Sequence, residues 1–322
     1  MTEDFIKGLV TRIESKDYYV SDSAEKEFRC NLPGRYKKEF ALKKDKLFIV
    51  DVVAVGDFVD FEINEDGTGT IQTIHERRNH LSRKAPKIKG ASFRGERLEQ
   101  IIASNVDNLV IVSSAENPRF NSRVIDRLIV IAESSHVVPI ILINKIDLEK
   151  NHKLEEWHNL YADLGYKIFL ISAKENIGLE GIPDILDGKI SLFWGQSGVG
   201  KSTVLNVIYP HLNLRVGEIS ESTSKGTHTT VTVLMQKIGG STYIIDTPGI
   251  REIDPYGIKK EDLGHYFPDI SSIQNNCRFN TCTHLHEPGC AVIDAVETGE
   301  IDPRRYQSYL NILETIEDDM RF

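Results

Sequence analysis

Lys189-Ile190-Ser191-Leu192-Phe193-Trp194-Gly195-Gln196-Ser197-Gly198-Val199-Gly200-Lys201-Ser202-Thr203 decides the fold of this chain. Its first six residues read as a buried strand. Gly195 to Ser202 then fit the spacing G-x-x-x-x-G-K-[ST], a turn that cradles phosphate, and Val204-Leu205-Asn206-Val207-Ile208 continues as a helix. The residue types follow from the chemistry. Glycines let backbone N–H groups curl round a phosphate with no Cβ in the way, and the helix N-terminus adds partial positive charge. Lys201 is expected to neutralise the outer phosphates, and the Ser202 hydroxyl to ligate magnesium. Gly195, Gln196, Ser197, Gly198, Val199, Gly200, Lys201, Ser202 and Thr203 are thus the expected phosphate-binding residues.

Around this loop the sequence alternates strands and helices. Residues 106–113, 137–143, 166–171, 231–237 and 242–245 read as strands. Residues 122–134 read as a helix capped by Ser122, and residues 155–164 as one ended by Gly165. The run at 137–143 is continuously apolar, as a parallel strand covered on both faces requires. The pattern predicts a doubly wound, mostly parallel sheet.

Ligands bind such sheets at the carboxyl ends of the strands, and three further signals sit there. Asn144-Lys145-Ile146-Asp147 follows one strand. A carboxylate at Asp147 can accept hydrogen bonds from the N1–H and amino group of guanine. Adenine presents a lone pair at N1, so the same carboxylate rejects it. Ser172-Ala173-Lys174 follows the next strand, with a backbone N–H for the guanine O6 and Lys174 against the base. Asp246-Thr247-Pro248-Gly249 follows a third. Asp246 is expected to hold magnesium through water, and the Gly249 N–H to sense the γ-phosphate. Together these motifs predict a GTP site. An ATPase or small-molecule kinase has no use for the Asn144–Asp147 and Ser172–Lys174 pair.

The motif order is unusual. GTPases ordinarily carry the phosphate loop first and the base-reading motifs last. Here Asn144–Asp147 and Ser172–Lys174 precede Gly195–Ser202, and Asp246–Gly249 comes last. The chain reads as circularly permuted, so the γ-phosphate-sensing segment leads straight into the C-terminal region. Between the phosphate loop and the next strand lies Gly226-Thr227-His228-Thr229-Thr230. One threonine there should ligate magnesium; Thr230 is favoured over Thr229. Ile250 stands where many GTPases carry a water-orienting glutamine. Slow intrinsic hydrolysis dependent on a partner is expected, with His228 a candidate for positioning the water.

The 322 residues suffice for two or three domains, and the net charge of -9 excludes a generally basic surface. Short strand-like runs at 5–13, 18–20, 27–32, 50–55, 57–63 and 70–74 predict a small barrel, with the OB fold as its leading form. Positive charge is concentrated locally. Arg35, Lys37, Lys38, Lys43, Lys44 and Lys46 share one expected loop. Arg77, Arg78, Arg83, Lys84, Lys87, Lys89, Arg94 and Arg97 face only Glu96 in a stretch broken by Pro86, Gly90 and Gly95. This second stretch reads as a linker or loop suited to a polyanion. No signal-like run or membrane span is evident, so a soluble, intracellular, cytoplasmic protein is expected.

Cys277-x4-Cys282-x-His284-x5-Cys290 brings three thiolates and an imidazole within a short segment. That ligand set suits a closed, structural zinc site. His286 is a rival to His284, which is preferred. Cys30 reads as a small buried apolar residue. The tail from residue 294 reads as helical and acidic, Arg304 and Arg305 excepted.

The permuted order, the Gly226–Thr230 switch, Asp246–Gly249, and the cysteine pattern running through Glu287-Pro288-Gly289-Cys290-Ala291-Val292 resemble the RsgA (YjeQ) family of circularly permuted GTPases. Val55-Gly56-Asp57 and Ile125-Asp126-Arg127 also match. Thr227 departs from it, since a basic residue is expected beside the switch histidine. The resemblance implies an OB-fold RNA-binding domain over 1–76, a basic linker over 77–100, a permuted GTPase domain over 101–258 and a zinc domain with helical tail over 259–322. It implies binding to the 30S ribosomal subunit and its 16S rRNA late in maturation, and GTP hydrolysis stimulated by that particle. A monomer without membrane contact is expected. Two other readings are an RNA-binding module holding GTP as a structural ligand and a GTPase switch acting on a protein partner.

Overall fold

The N-terminal strands are β1 (Ile6–Glu14), β2 (Asp17–Asp22), β3 (Glu27–Asn31), β4 (Phe58–Ile63) and β5 (Gly69–Ile74), with burial alternating along β3, β4 and β5. The computed structural model describes residues 5–34, 36, 52–84, 99–150, 153–214, 233–247 and 257–316. The five strands run in the order β1-β2-β3-β5-β4, and β4 returns to pair with β1, closing the expected barrel. Val10, Val20, Phe28, Cys30, Val59, Phe61 and Ile71 fill it. Each large side chain so buried is worth about 1.5–3 kcal/mol. Burial pushes the Cys30 thiol up to about 12, so it stays a neutral core group.

The strand expected at 50–55 is not found over its described part. Residues 52–55 bend into a turn, where Ala54 N donates to Asp57 Oδ2 at 2.8 Å. A side-chain acceptor has displaced the ladder there. The lysine-rich loop with Arg35, Lys37, Lys38, Lys43, Lys44 and Lys46 lies outside the described residues.

The stretch read as a linker is partly a hairpin. β6 (His80–Lys84) and β7 (Glu99–Ser104) pair antiparallel, and residues 85–98 lie outside the described residues. Three of the arginines in this stretch, Arg77, Arg78 and Arg83, have partners within the protein, while Arg94 and Arg97 lie outside the described residues. Arg77 grips the buried Asp57 with two bonds of 2.7 Å, Arg78 reaches Asp107 at 3.1 Å, and Arg83 donates to Gln100 at 3.0 Å. A bidentate arginine–carboxylate pair is directional, which explains why charge at these positions serves the fold. Beside it, Gly56 adopts φ +94°, and a Cβ there would overlap the Ser104 carbonyl. Asn105 Nδ2 donates to Gly56 O at 2.8 Å. The barrel is thus seated on the end of β7.

That domain contains β8 (Asn108–Ser114), α1 (Ser122–Ser134), β9 (Val138–Asn144), α2 (Leu154–Asp163), β10 (Lys167–Leu170), α3 (Ile182–Leu186), β11 (Ile190–Gly195), α4 (Lys201–Ile208), β12 (Leu234–Gly239) and β13 (Thr242–Asp246). The strand order is β10-β9-β8-β11-β13-β12, parallel except for β12. α1 and α2 bury Leu128, Ile129 and Tyr161 on one face; α3 and α4 bury Ile182, Leu186, Val204 and Leu205 on the other. Asn121, not Ser122, caps α1, its Oδ1 accepting from Arg123 N at 3.1 Å. Either residue can cap, and the chain turns one position earlier than expected. β12 also meets β1 through Leu234 and Arg12, so barrel and sheet are one hydrogen-bonded surface of eleven strands.

The C-terminal unit holds α5 (Pro268–Ser271), α6 (Ala291–Thr298) and α7 (Pro303–Leu313) around Leu263, Phe267, Ile270, Val292, Tyr309 and Ile312. The helical tail is two helices, because Gly299 ends α6 and Asp302 caps α7, accepting from Arg304 N at 2.7 Å. Val130 of α1 joins this core. Among the described residues, no helix is long and apolar enough to cross a membrane.

Candidate nucleotide site and metal centre

The carboxyl ends of β9, β10, β11 and β13 bring the expected motifs to one edge of the sheet. The turn between β11 and α4 has the glycine conformations it needs: Gly198 at φ +84° and Gly200 at φ +92°. A Cβ on Gly200 would overlap Asn144 Nδ2. Val199 N donates to Gln196 O at 3.3 Å, and Val204 N to Gly200 O at 2.9 Å, so the turn runs straight into the first helical bonds. Val199 is buried against Phe193 and Leu205 in one core, while Ser197 and Gly198 are not. Ser202 and Thr203, at the start of α4, are half-buried.

Asn144 joins two motifs. Its Nδ2 donates to Val199 O at 2.8 Å, and its Oδ1 accepts from Ala173 N at 3.0 Å. Lys145 donates to the carbonyls of Gly198 and Asn117. Partial burial lowers the Lys145 ammonium from its ordinary value, against the attraction of Asp147. Asp147 Oδ1 accepts from the buried Ser172 hydroxyl at 2.6 Å, and the same Ser172 Oγ accepts from Glu175 N at 3.2 Å. A carboxylate oriented in this way keeps lone pairs free for two in-plane donors. Ile146 lies in the short turn between them, half-buried. Lys174 is well exposed and pairs with Glu175 at 3.0 Å, which holds its ammonium above the ordinary value.

At the phosphate end, Lys201 forms an ion pair with Asp246. Both side chains are largely shielded, 13% and 14% exposed, so the charges neutralise one another in a poorly solvated site. Thr247, one residue on, donates from its buried hydroxyl to Phe193 O at 3.1 Å and fixes the end of β13 to β11. Thr229, Thr230, His228 and Gly249 lie outside the described residues.

Motif reading did not find the segment between β8 and α1. Asn117 carries its carbonyl to Lys145, and Pro118 O accepts from Ser114 Oγ at 2.7 Å. Pro118 Cδ also lies beside Gly198. The contribution is made by backbone carbonyls, so no side-chain type advertised it. Asn117-Pro118 as a turn signal was the available hint.

The second cluster is the candidate metal-ligand set. The ligand atoms of Cys277, Cys282, His284 and Cys290 all lie within 4.8 Å of one another. Cys277 Sγ is 3.8 Å from Cys290 Sγ, and His284 Nδ1 is 3.6 and 3.5 Å from these two sulfurs. Tetrahedral zinc with Zn–S bonds of about 2.3 Å requires sulfur–sulfur edges near 3.8 Å, so the donors fit a zinc ion. His286 is exposed and outside the cluster. Burial, with the neighbouring thiols, pushes Cys282 up to about 12. A bound cation reverses that preference, since thiolates are its ligands. Tyr306 and Tyr309 of α7 donate to His284 O at 2.7 Å and Thr283 O at 2.9 Å, fixing the ligand loop to the helix.

A protein-family model described as the RsgA GTPase matches residues 74–256. A Chlorobaculum parvum protein named small ribosomal subunit biogenesis GTPase RsgA is 38% identical over 318 residues, covering 97% of this chain and 99% of the relative. A Flavobacterium johnsoniae protein of the same name is 38% identical over 320 residues, covering 98% and 94%. The crystal structure of YjeQ from Thermotoga maritima superposes with a TM-score of 0.74 at 32% identity, covering 96% of this chain and 98% of that one. YloQ, described as a circularly permuted GTPase, gives 0.68 at 30% identity, covering 99% and 98%.

Proposed function

The chain belongs to the RsgA GTPase family, and on that footing we propose that it is a GTPase of small ribosomal subunit biogenesis. It binds the 30S particle through its 16S rRNA late in maturation, hydrolyses GTP when that particle stimulates it, and then leaves. One observation carries the reading: relatives bearing that name align over nearly the whole of both chains, barrel and cysteine cluster included.

The roles of the residues belong to the same proposal. Asp147 reads the guanine edge, with Ser172 fixing its carboxylate and Asn144, Lys145, Ile146, Ala173 and Lys174 forming the wall round the base. Gly195, Gln196, Ser197, Gly198, Val199, Gly200 and Thr203 wrap the phosphates with backbone N–H groups. Magnesium would supply charge neutralisation at the outer phosphates, and Ser202, Asp246 and Thr230 are the residues that would hold it. Lys201, paired with Asp246 in this structure, would turn to phosphate oxygen when nucleotide binds. Gly249 senses the γ-phosphate and His228 positions the attacking water. Cys277, Cys282, His284 and Cys290 hold one structural zinc. The protein works in the cytoplasm as a monomer.

The experiment is GTP turnover by the purified protein alone and with purified 30S, 50S and 70S particles, at low and moderate salt. Stimulation by 30S particles, weakened by salt, is the expected result. Equal rates in all mixtures would reject the partner and leave a GTP-binding protein.

A further inference from the structure

Arg305 of α7 is fully buried between three elements. Its guanidinium pairs with Asp126 of α1, and its Nε and NH2 donate to the two oxygens of Asp269 of α5, each at 3.1 Å. Tyr161 of α2 adds a hydroxyl to Asp126 Oδ1 at 2.9 Å. Burial pushes the Asp126 carboxyl up, opposed by the Arg305 charge, and it raises the Tyr161 phenol well above its ordinary value. Ionic groups removed from water in this way are costly, and apolar residues of similar volume often serve stability as well. Their use here calls for a directional task.

The geometry supplies one. α1 holds Asp126 one turn inside its N-terminus, and the segment leading into α1 carries Asn117 and Pro118 onto Lys145 and Gly198. Successive contacts join the C-terminal unit to the nucleotide loops: Arg305, Asp126, the first turns of α1, Asn117, then Lys145 and the phosphate loop.

We propose that Arg305 is a positioning residue for the nucleotide site. By clamping α1 against α5 and α7 it sets the height of the Asn117 carbonyl, and with it the Lys145 ammonium and Gly198. The inference rests on the nucleotide reading above. A clamp of this kind couples two sites, so the effect is reciprocal: nucleotide binding tightens the packing of α7.

The test uses the full-length zinc-bound protein and a fluorescent GDP analogue. Arg305→Lys keeps the charge but loses the planar fork. Asp269→Asn removes one carboxylate at the edge of the clamp and guards against Arg305→Lys failing to fold. Tyr306→Phe, on the same helix, breaks only the contact to the zinc loop and serves as control. With zinc content unchanged, Arg305→Lys and Asp269→Asn should each weaken GDP binding at least about fivefold, and Tyr306→Phe should not. GDP should slow amide hydrogen exchange in α7 of the wild type and no longer do so in Asp269→Asn. Wild-type affinity and wild-type exchange protection in a folded variant would overturn the proposal. A wild-type protein that binds no guanine nucleotide would instead overturn the functional reading itself.

Discussion

Lys201 and Asp246 neutralise one another across a shielded gap, which gives each a definite cost of removal. Lys201→Ala should lower GTP turnover by more than about 100-fold, because a fixed charge at the developing phosphate charge is lost. Circular dichroism and melting should show a folded protein, and turnover near the wild-type rate would remove the assignment. Asp147→Asn should weaken GDP binding by about 2 kcal/mol, since a charged acceptor of two bonds becomes a neutral acceptor of one. Competition titration with ADP and IDP reads this as a narrower margin in favour of guanine. Gly200 is constrained twice, by φ +92° and by Asn144 Nδ2 in the path of any Cβ. Gly200→Ala should therefore cost about 1–3 kcal/mol of stability and displace Asn144 from Val199 O, which thermal melting and nucleotide titration measure together.

At the scale of elements, the loop from Cys277 to Cys290 has few apolar residues of its own and is held by its ligands and by α7. On the proposed zinc reading, a chelator should expose this loop and loosen α6 and α7, leaving the barrel and the large sheet folded. Calorimetry should then show a separate, lower transition, and limited proteolysis should cut within 277–290. His284→Ala should lose the metal and His286→Ala keep it, as metal analysis will tell, because Nδ1 of His284 faces the sulfurs and His286 faces solvent. Glu287 reinforces the loop: its carboxylate accepts from Thr283 N, Thr283 Oγ1, Leu285 N and His286 N. Burial alone would raise that carboxyl, but these donors outweigh it and hold the group down at about 2.

Over the whole molecule, the proposed 30S partner requires a local basic surface on a chain of net charge -9, so on that proposal stimulation by 30S particles should fall steeply between about 50 and 200 mM salt. Turnover measured across that range decides it; a flat profile points to a protein contact. Long-range joints such as β1 with β12 and Arg305 with Asp126 tie barrel, sheet and C-terminal unit together. What the sequence determined by itself is local chemistry. Gly195–Ser202, Asn144–Asp147, Ser172–Lys174 and the Cys277–Cys290 cluster are legible as candidates because each spacing suits one turn, one base edge or one ion. Their order exposed the permutation. The tertiary structure decided everything that depends on who faces whom. Arg77 grips the buried Asp57 and the exposed Arg78 reaches Asp107, residues 52–55 gave up a strand for a turn, and His284 was separated from His286. Arg305 reads as an ordinary basic residue of a helical tail, and only the fold brings it to Asp126, which lies 179 positions away in the chain. The physical reason is range. A motif is satisfied by its own neighbours, whereas burial, ion pairing and backbone carbonyl contacts depend on residues that the chain order does not bring together.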